Sequence, residues 1–253
     1  MSDDDLGTAY RPARPPERVV SLVPSLTETV ALSARGLLVG ATDWCSHPAD
    51  LNVPRVGGTK WPDLTAVQAL EPDLVLANAE ENRAEDIAAL RSAGLAVWVT
   101  APATVPAALS SLRRMLAALG ETRVLWLDEA DELWSGPATA TDHPVLIPIW
   151  RRPWMVLGRD TFAGDVLLRL GYSNVYGAHT DRYPKISLDE LRRHEVHTVV
   201  LPDEPYAFSA TDGPEAFPGR RCALVSGRYL TWYGPSLVGA PAVLSRQLQA
   251  AAP

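Results

Sequence analysis

The chain has 253 residues, 47% hydrophobic and 21% charged, which excludes a disordered protein, a collagen-like repeat and a coiled coil. Its length allows one large domain or two of about 110–130 residues. A formal net charge of −7 excludes a nucleic-acid-binding surface as the main function, and no run of about 18 apolar residues exists to insert into a membrane.

Residues 1–17 are acidic (Asp3-Asp4-Asp5), then rich in Arg and Pro (Pro12, Pro15, Pro16), and read as a polar N-terminal tail. They hold neither the apolar stretch of a signal peptide nor a lipid-attachment cysteine, which predicts a cytoplasmic protein. In that reducing compartment Cys45 and Cys222 are expected as free thiols.

Val19-Val20-Ser21-Leu22-Val23 predicts a short strand ended by Pro24, and Ser25 with Glu28 has the spacing of a capping box opening a helix. Val39-Gly40-Ala41-Thr42 is a second strand, delivering the loop Asp43-Trp44-Cys45-Ser46-His47-Pro48. A second box at Thr65 and Gln68 precedes Asp73-Leu74-Val75-Leu76-Ala77, a strand apolar enough to be buried on both faces. A helix over about 83–93 and the strand Ala96-Val97-Trp98-Val99 complete the first half. Strands alternating with helices at this spacing predict βαβ units and parallel sheets.

From residue 105 to 134 the pattern is helical, with Leu109, Leu112, Leu116 and Leu119 on one face and Gly120 interrupting it. Gly136-Pro137 closes this stretch, and residues 138–142 read as a linker. The first half's order then returns. Val145-Leu146-Ile147 is a strand, Asp160-Thr161 caps a helix, a third box sits at Ser187 and Glu190, and His197-Thr198-Val199-Val200-Leu201 is the next strand. The expected organisation is an α/β lobe over 18–104, a connecting helical segment over 105–137 and a second α/β lobe over 143–253, each lobe with a mostly parallel sheet flanked by helices.

Ligands of open α/β sheets bind outside the carboxyl ends of the strands. In the first half the loops placed there carry Trp44, Cys45, His47, Lys60, Trp61, Glu80 and Glu81. In the second they carry Arg151, Trp154, Tyr183, Glu204, Tyr206, Tyr229, Trp232 and Tyr233. Two such loop sets predict a deep aromatic cleft of mixed polarity between the lobes, with aromatic rings as stacking walls.

Ordered motifs now carry a resemblance. Val20-Ser21-Leu22-Val23-Pro24-Ser25 with Thr27-Glu28, and Gly57-Gly58-Thr59-Lys60 with Pro62-Asp63, resemble the class III (cluster A) substrate-binding proteins of the helical backbone metal receptor superfamily. Pro72-Asp73-Leu74-Val75-Leu76-Ala77-Asn78 with Glu80-Glu81-Asn82-Arg83 is similar to the vitamin B12-binding branch. So are Arg152-Pro153-Trp154-Met155, Arg182-Tyr183-Pro184, Glu204-Pro205-Tyr206 and Trp232-Tyr233-Gly234. The resemblance spans residues 18–248 and implies two lobes joined by a backbone helix, with a metal-containing small molecule held between them: a corrinoid (cobalamin), a siderophore or a haem. It also implies that Glu28 and Glu190 are the pair of glutamates that dock on an ABC permease. Without export, docking is expected not to operate, and both glutamates double as the third residues of capping boxes.

Cys45 and His47 form a C-x-H pair that could ligate a metal directly if carboxylates from other loops completed the set, or else pack as ordinary loop residues. Arg151, Arg152, Arg182 and Lys60 suit either anionic groups on a ligand or neutralisation of Glu80, Glu81 and Glu204. The sequence holds no G-x-S-x-G, Walker, H-E-x-x-H or dinucleotide motif, so a non-catalytic binder is expected, the rival reading being a chelatase-like metal-insertion enzyme.

Overall fold

Eight short strands, most of them β-branched and apolar runs, pair in parallel in two separate four-stranded sheets. The computed structural model describes residues 2–138 and 143–250, so most of the expected linker lies outside the described residues. The chain divides into two compact units. The first takes residues 2–102, 107–131 and 233–235; the second takes residues 103–106, 132–138, 143–232 and 236–250. These boundaries differ from the expected ones: the connecting segment belongs in part to each unit, and Tyr233–Pro235 returns to the first.

The first unit opens with a hairpin of β1 (Ser2–Asp3) and β2 (Ala9–Tyr10). Its main elements are β3 (Val19–Ser21), α1 (Pro24–Ser33), β4 (Leu38–Ala41), α2 (Leu64–Ala69), β5 (Leu74–Asn78), α3 (Ala84–Ser92) and β6 (Val97–Thr100). The helices α4 (Val105–Ala118) and α5 (Leu125–Leu133) follow. The sheet order is β4-β3-β5-β6, with every pairing parallel. Its core gathers Val20, Leu22, Val75, Ala77, Leu90 and Val99. Strand β5 is buried throughout, as its uninterrupted apolar run predicts.

Residues 2–17 are not a loose tail. Asp4 is buried and accepts the backbone N–H groups of Leu6, Thr8 and Val99, while Asp5 accepts from the Ala101 N–H and the Ser111 hydroxyl. Arg91 and Arg114 pair with these two carboxylates at 3.1 and 2.5 Å. The acidic run therefore fastens the hairpin to β6 and α4.

The second unit contains β7 (Pro144–Leu146), β8 (Pro148–Trp150), β9 (Met155–Val156), α6 (Phe162–Arg169) and β10 (Ser173–Asn174). It continues through α7 (Leu188–Arg193), β11 (Thr198–Pro202), β12 (Arg221–Val225), α8 (Gly227–Thr231) and α9 (Ser236–Gln249). Its parallel sheet runs β10-β7-β11-β12, while β8 and β9 pair as a separate antiparallel hairpin. Numbered within each unit, both four-stranded sheets have the order 2-1-3-4, so the duplication read from motif order is a duplication of topology.

Local signals were displaced at two helix starts, while the break expected at Gly120 is kept. Helix α1 starts at Pro24, whose missing N–H and fixed φ suit the first helical position, so Val23 is the N-cap and no Ser25–Glu28 box forms. At α2 the cap is Asp63, which accepts from the Ala66 N–H at 3.0 Å, in place of Thr65. The helical stretch after residue 105 breaks into α4 and α5 at Gly120, whose φ of +93° ends the first helix. Ser187 does cap α7, accepting the Glu190 N–H at 3.2 Å.

Candidate functional site

In each sheet the first and third strands are neighbours, and their following loops leave in opposite directions, so a crevice opens at that switch point. In the first unit the crossing is tied by asparagines. Asn82 donates to the Leu22 carbonyl after β3 at 3.3 Å and to the Thr59 carbonyl at 2.9 Å. Asn78, at the end of β5, accepts the Glu80 and Glu81 N–H groups at 2.8 and 3.1 Å and donates to the Tyr233 hydroxyl at 2.6 Å.

This framework pins the turn that carries Trp61. The Gly58 N–H donates to the Trp61 carbonyl at 3.2 Å, and the Lys60 ammonium donates to the Glu80 carbonyl. Gly57 has a φ of +81°, and a Cβ there would stand 3.1–3.2 Å from backbone atoms of Asp63 and Trp61, so the turn requires glycine. The indole Nε1 of Trp44 lies beside Gly58, 3.6 Å from where its Cβ would be. Trp44 and Trp61 are both 70% exposed, the two barest tryptophans among the described residues. Glu81 is half-buried nearby in sequence, after β5.

The C-x-H pair does not make a metal centre. The Cys45 thiol is fully buried, 3.0 Å from the Thr27 hydroxyl and 3.1 Å from that of Thr42, and burial pushes its pKa up, away from the thiolate a metal needs. The Arg55 guanidinium fixes this loop by donating to the Thr42 and Cys45 carbonyls at 2.9 and 3.0 Å. His47 is half-buried with Nδ1 3.1 Å from the Ser46 hydroxyl. Among the described residues no group of three His, Cys, Asp or Glu side chains is placed to hold a metal.

In the second unit the β8–β9 hairpin follows β7 and carries Trp150, Arg151 and Trp154. Trp154 stacks on Phe208 with ring centroids 6.0 Å apart and meets the edge of Phe217 at 5.4 Å. Arg151 pairs with Asp212 and, at 2.5 Å, with Glu215, so it does not neutralise Glu204. Tyr206 donates to Asp212 at 2.6 Å; that bond raises the phenol pKa and lowers the carboxyl pKa. Trp150, 41% exposed, meets the edge of Tyr206.

Of the remaining aromatic candidates, Trp232 and Tyr233 are buried and Tyr183 and Tyr229 half-buried. Trp232 is 8% exposed and donates its indole N–H to Glu204 at 2.9 Å. Burial raises the Glu204 pKa against that hydrogen bond, and Gly227 lies so close to the Glu204 backbone that a Cβ would come within 2.7 Å of its nitrogen. Tyr233 is buried, its hydroxyl meeting Asn78 and Thr100, and burial, with the Glu81 charge adding, drives its pKa far up. Tyr229 lies against Gly239 of α9, and Tyr183 is half-buried with the Arg182 guanidinium 5.9 Å from its ring. Glu28 is buried, whereas Glu190 is exposed.

Sequence reasoning missed Asp212 and Glu215 as the partners of Arg151, and Asn78 and Asn82 as the ties of the crevice. The signals for the asparagines were their i,i+4 spacing around the end of β5 and their place in the motif that carries the family resemblance.

A family model described as periplasmic binding protein matches residues 19–204. Among curated proteins, a vitamin B12-binding protein of Pectobacterium atrosepticum is 22% identical over 200 residues, covering 74% of this chain and 71% of the relative. Among solved structures, a periplasmic heme-binding protein from Pseudomonas aeruginosa is 26% identical with a TM-score of 0.72, covering 94% of this chain and 95% of that one. The CeuE protein of Helicobacter pylori in a Ni-His complex has a TM-score of 0.81 at 13% identity, covering 98% and 87%, a likeness of fold alone. These matches overturn the expectation of a cytoplasmic protein, which leaned on the polar character of residues 1–17; those residues are part of the folded first unit and carry no information about address. The exclusion of permease docking fails with it.

Proposed function

Because the chain belongs to the periplasmic binding protein family, we propose that it is a non-catalytic receptor for a metal-containing small molecule with a broad conjugated face, a corrinoid or a haem. The observation that carries this reading is the pair of bare indoles, Trp44 and Trp61, flanking one pinned turn at the carboxyl end of the first sheet. An exposed indole costs solvation free energy unless a partner covers it, and Trp61 on the turn held by Asn82 and Lys60, with Trp44 beside Gly58 of that turn, offers a surface prepared for stacking. Trp150, Tyr206 and Arg151 form the corresponding surface of the second unit, with the positive charge of Arg151 already met by Asp212 and Glu215. Direct capture of a bare divalent metal through Cys45 and His47 is disfavoured by the buried, hydrogen-bonded thiol. Family membership likewise favours binding over the chelatase-like reading.

In this reading Glu190 is available to a permease, since it is exposed on the first turn of α7. The deciding measurement titrates cyanocobalamin, hemin and Zn2+ separately into the purified protein, followed by absorbance and by thermal shift. A macrocycle is expected to raise the melting temperature and Zn2+ to leave it unchanged. A shift with Zn2+ alone overturns the proposal.

A further inference from the structure

Trp61 is bare on only one of its two faces. The Arg83 guanidinium carbon sits 3.8 Å from the centroid of the indole, well inside cation–π range. That guanidinium is itself fixed: Nε and Nη2 donate to the two oxygens of Asp86 at 2.8 and 2.6 Å, and Nη1 pairs with Glu85 at 3.3 Å. Asp86 is buried in α3, so the fork is anchored to a helix. The backbone of Trp61 is held independently by the Gly58–Trp61 turn and by Asn82 on the Thr59 carbonyl. With one face covered and 70% of the residue still exposed, the opposite face is the one open to a ligand.

We infer that Arg83 is a positioning residue that holds Trp61 as a one-sided stacking platform for a flat, electron-rich conjugated ligand. The inference deepens the ligand reading above and rests on it. A cation on one face of the ring weakens the negative potential of the other, which favours a π-rich plane there over a second cation. Fixing the indole before binding also removes the rotamer entropy that a loose tryptophan loses on stacking.

Two readouts separate this inference from the ligand reading. In the protein without ligand, the Trp61 contribution to fluorescence is obtained by difference from Trp61→Phe. Arg83→Gln is expected to raise acrylamide quenching of that contribution and lower its anisotropy, with Arg83→Lys in between. No change overturns the positioning role, whatever binds. Hemin and cyanocobalamin are then titrated into wild type, Trp61→Ala, Arg83→Gln and the double variant. Trp61→Ala is expected to weaken binding by about 30-fold and Arg83→Gln by about 2- to 5-fold. The double variant should be no worse than Trp61→Ala, because Arg83 acts through the indole. Effects that multiply, or an Arg83→Gln protein that binds as wild type, overturn the inference while the ligand reading stands. If neither macrocycle binds wild type, the ligand reading falls, and with it the stacking role given to the platform.

Discussion

The two units repeat one sheet order but use their carboxyl-end aromatics in opposite ways. In the first unit Trp44 and Trp61 both stand 70% exposed, Trp61 on the pinned turn with one face against the Arg83 guanidinium and Trp44 beside Gly58 of that turn. In the second, Trp232 is buried and bonded to Glu204 and Trp154 is stacked on Phe208, while Tyr206, bonded to Asp212, and Trp150 stay partly exposed. Aromatic residues that follow strands of one repeated topology are thus largely exposed in one unit and more often met by side chains in the other. What differs is the supply of partners. The second unit's loops bring Phe208, Phe217 and Asp212 to meet their aromatics, whereas in the first unit Gly57 and Gly58 form the turn and Arg83 covers one face of Trp61.

The sharpest way to break this comparison is to remove a strut. Trp232→Ala deletes a nearly buried indole and the N–H donor of a half-buried carboxylate, a change of the class that costs about 3–5 kcal/mol. For a chain of this size that is a fall of roughly 6–20 °C in melting temperature, read by differential scanning calorimetry. If the variant melts with wild type yet loses hemin or cyanocobalamin binding, Trp232 is a ligand surface and the two units are alike.

The complementary substitution, Trp44→Ala, is expected to leave the melting temperature within about a degree, because the ring makes little contact to lose. Its effect falls on binding, with a loss of about 1–2 kcal/mol against whichever macrocycle binds wild type, read by isothermal titration calorimetry. A large drop in stability would show that Trp44 supports the fold as Trp232 does.

How much of this contrast was legible in the sequence follows from its physics. Strands β5 and β11 were legible because burial on both faces demands an unbroken apolar run, which Leu74-Val75-Leu76-Ala77 and Val199-Val200-Leu201 display. The β1–β2 hairpin was not, since Asp4 and Asp5 are held by Val99, Ala101 and Ser111, about a hundred residues away. Placing the aromatics in loops needed only strand order. Telling Trp44 from Trp232 needed to know that Glu204 meets one indole while the other stays 70% exposed beside Gly58, and no local pattern encodes that. The two readings of the Cys45/His47 pair stayed open in the sequence for the same reason: its spacing suits ligation, but Thr27 from α1 and Thr42 beside it take the thiol.

That pair supplies a smaller test within the first unit. Cys45→Ala removes a buried sulfur held by two hydroxyls and is expected to cost about 1 kcal/mol, read as a shift of the urea midpoint. Metal content by inductively coupled plasma mass spectrometry and affinity for the macrocycle should both match wild type. Loss of either would move Cys45 from the scaffold to the site and make the first unit's crevice a metal centre after all.

The smallest expected effect concerns the strut's own partner, and its sign can be worked out. Burial raises the Glu204 pKa, so between the ordinary glutamic acid value and the raised one the native state holds a proton that the unfolded chain has lost. Stability from this group therefore falls as pH rises through that window and is fully recovered below the ordinary value of about 4.3. Glu204→Gln keeps an oxygen to accept from the Trp232 indole but cannot ionise. The variant should match wild type near pH 4 and gain on it toward pH 7, in urea melts run at each pH. Asp212 and Glu215, whose pKa values are lowered, contribute the opposite slope to both proteins, so the difference between the two curves isolates Glu204. A difference that shrinks as pH rises would mean that the carboxylate is stabilised where it lies. Glu204 would then be a charged group presented to a ligand, and the second unit's face would be less committed than its hydrogen bonds show.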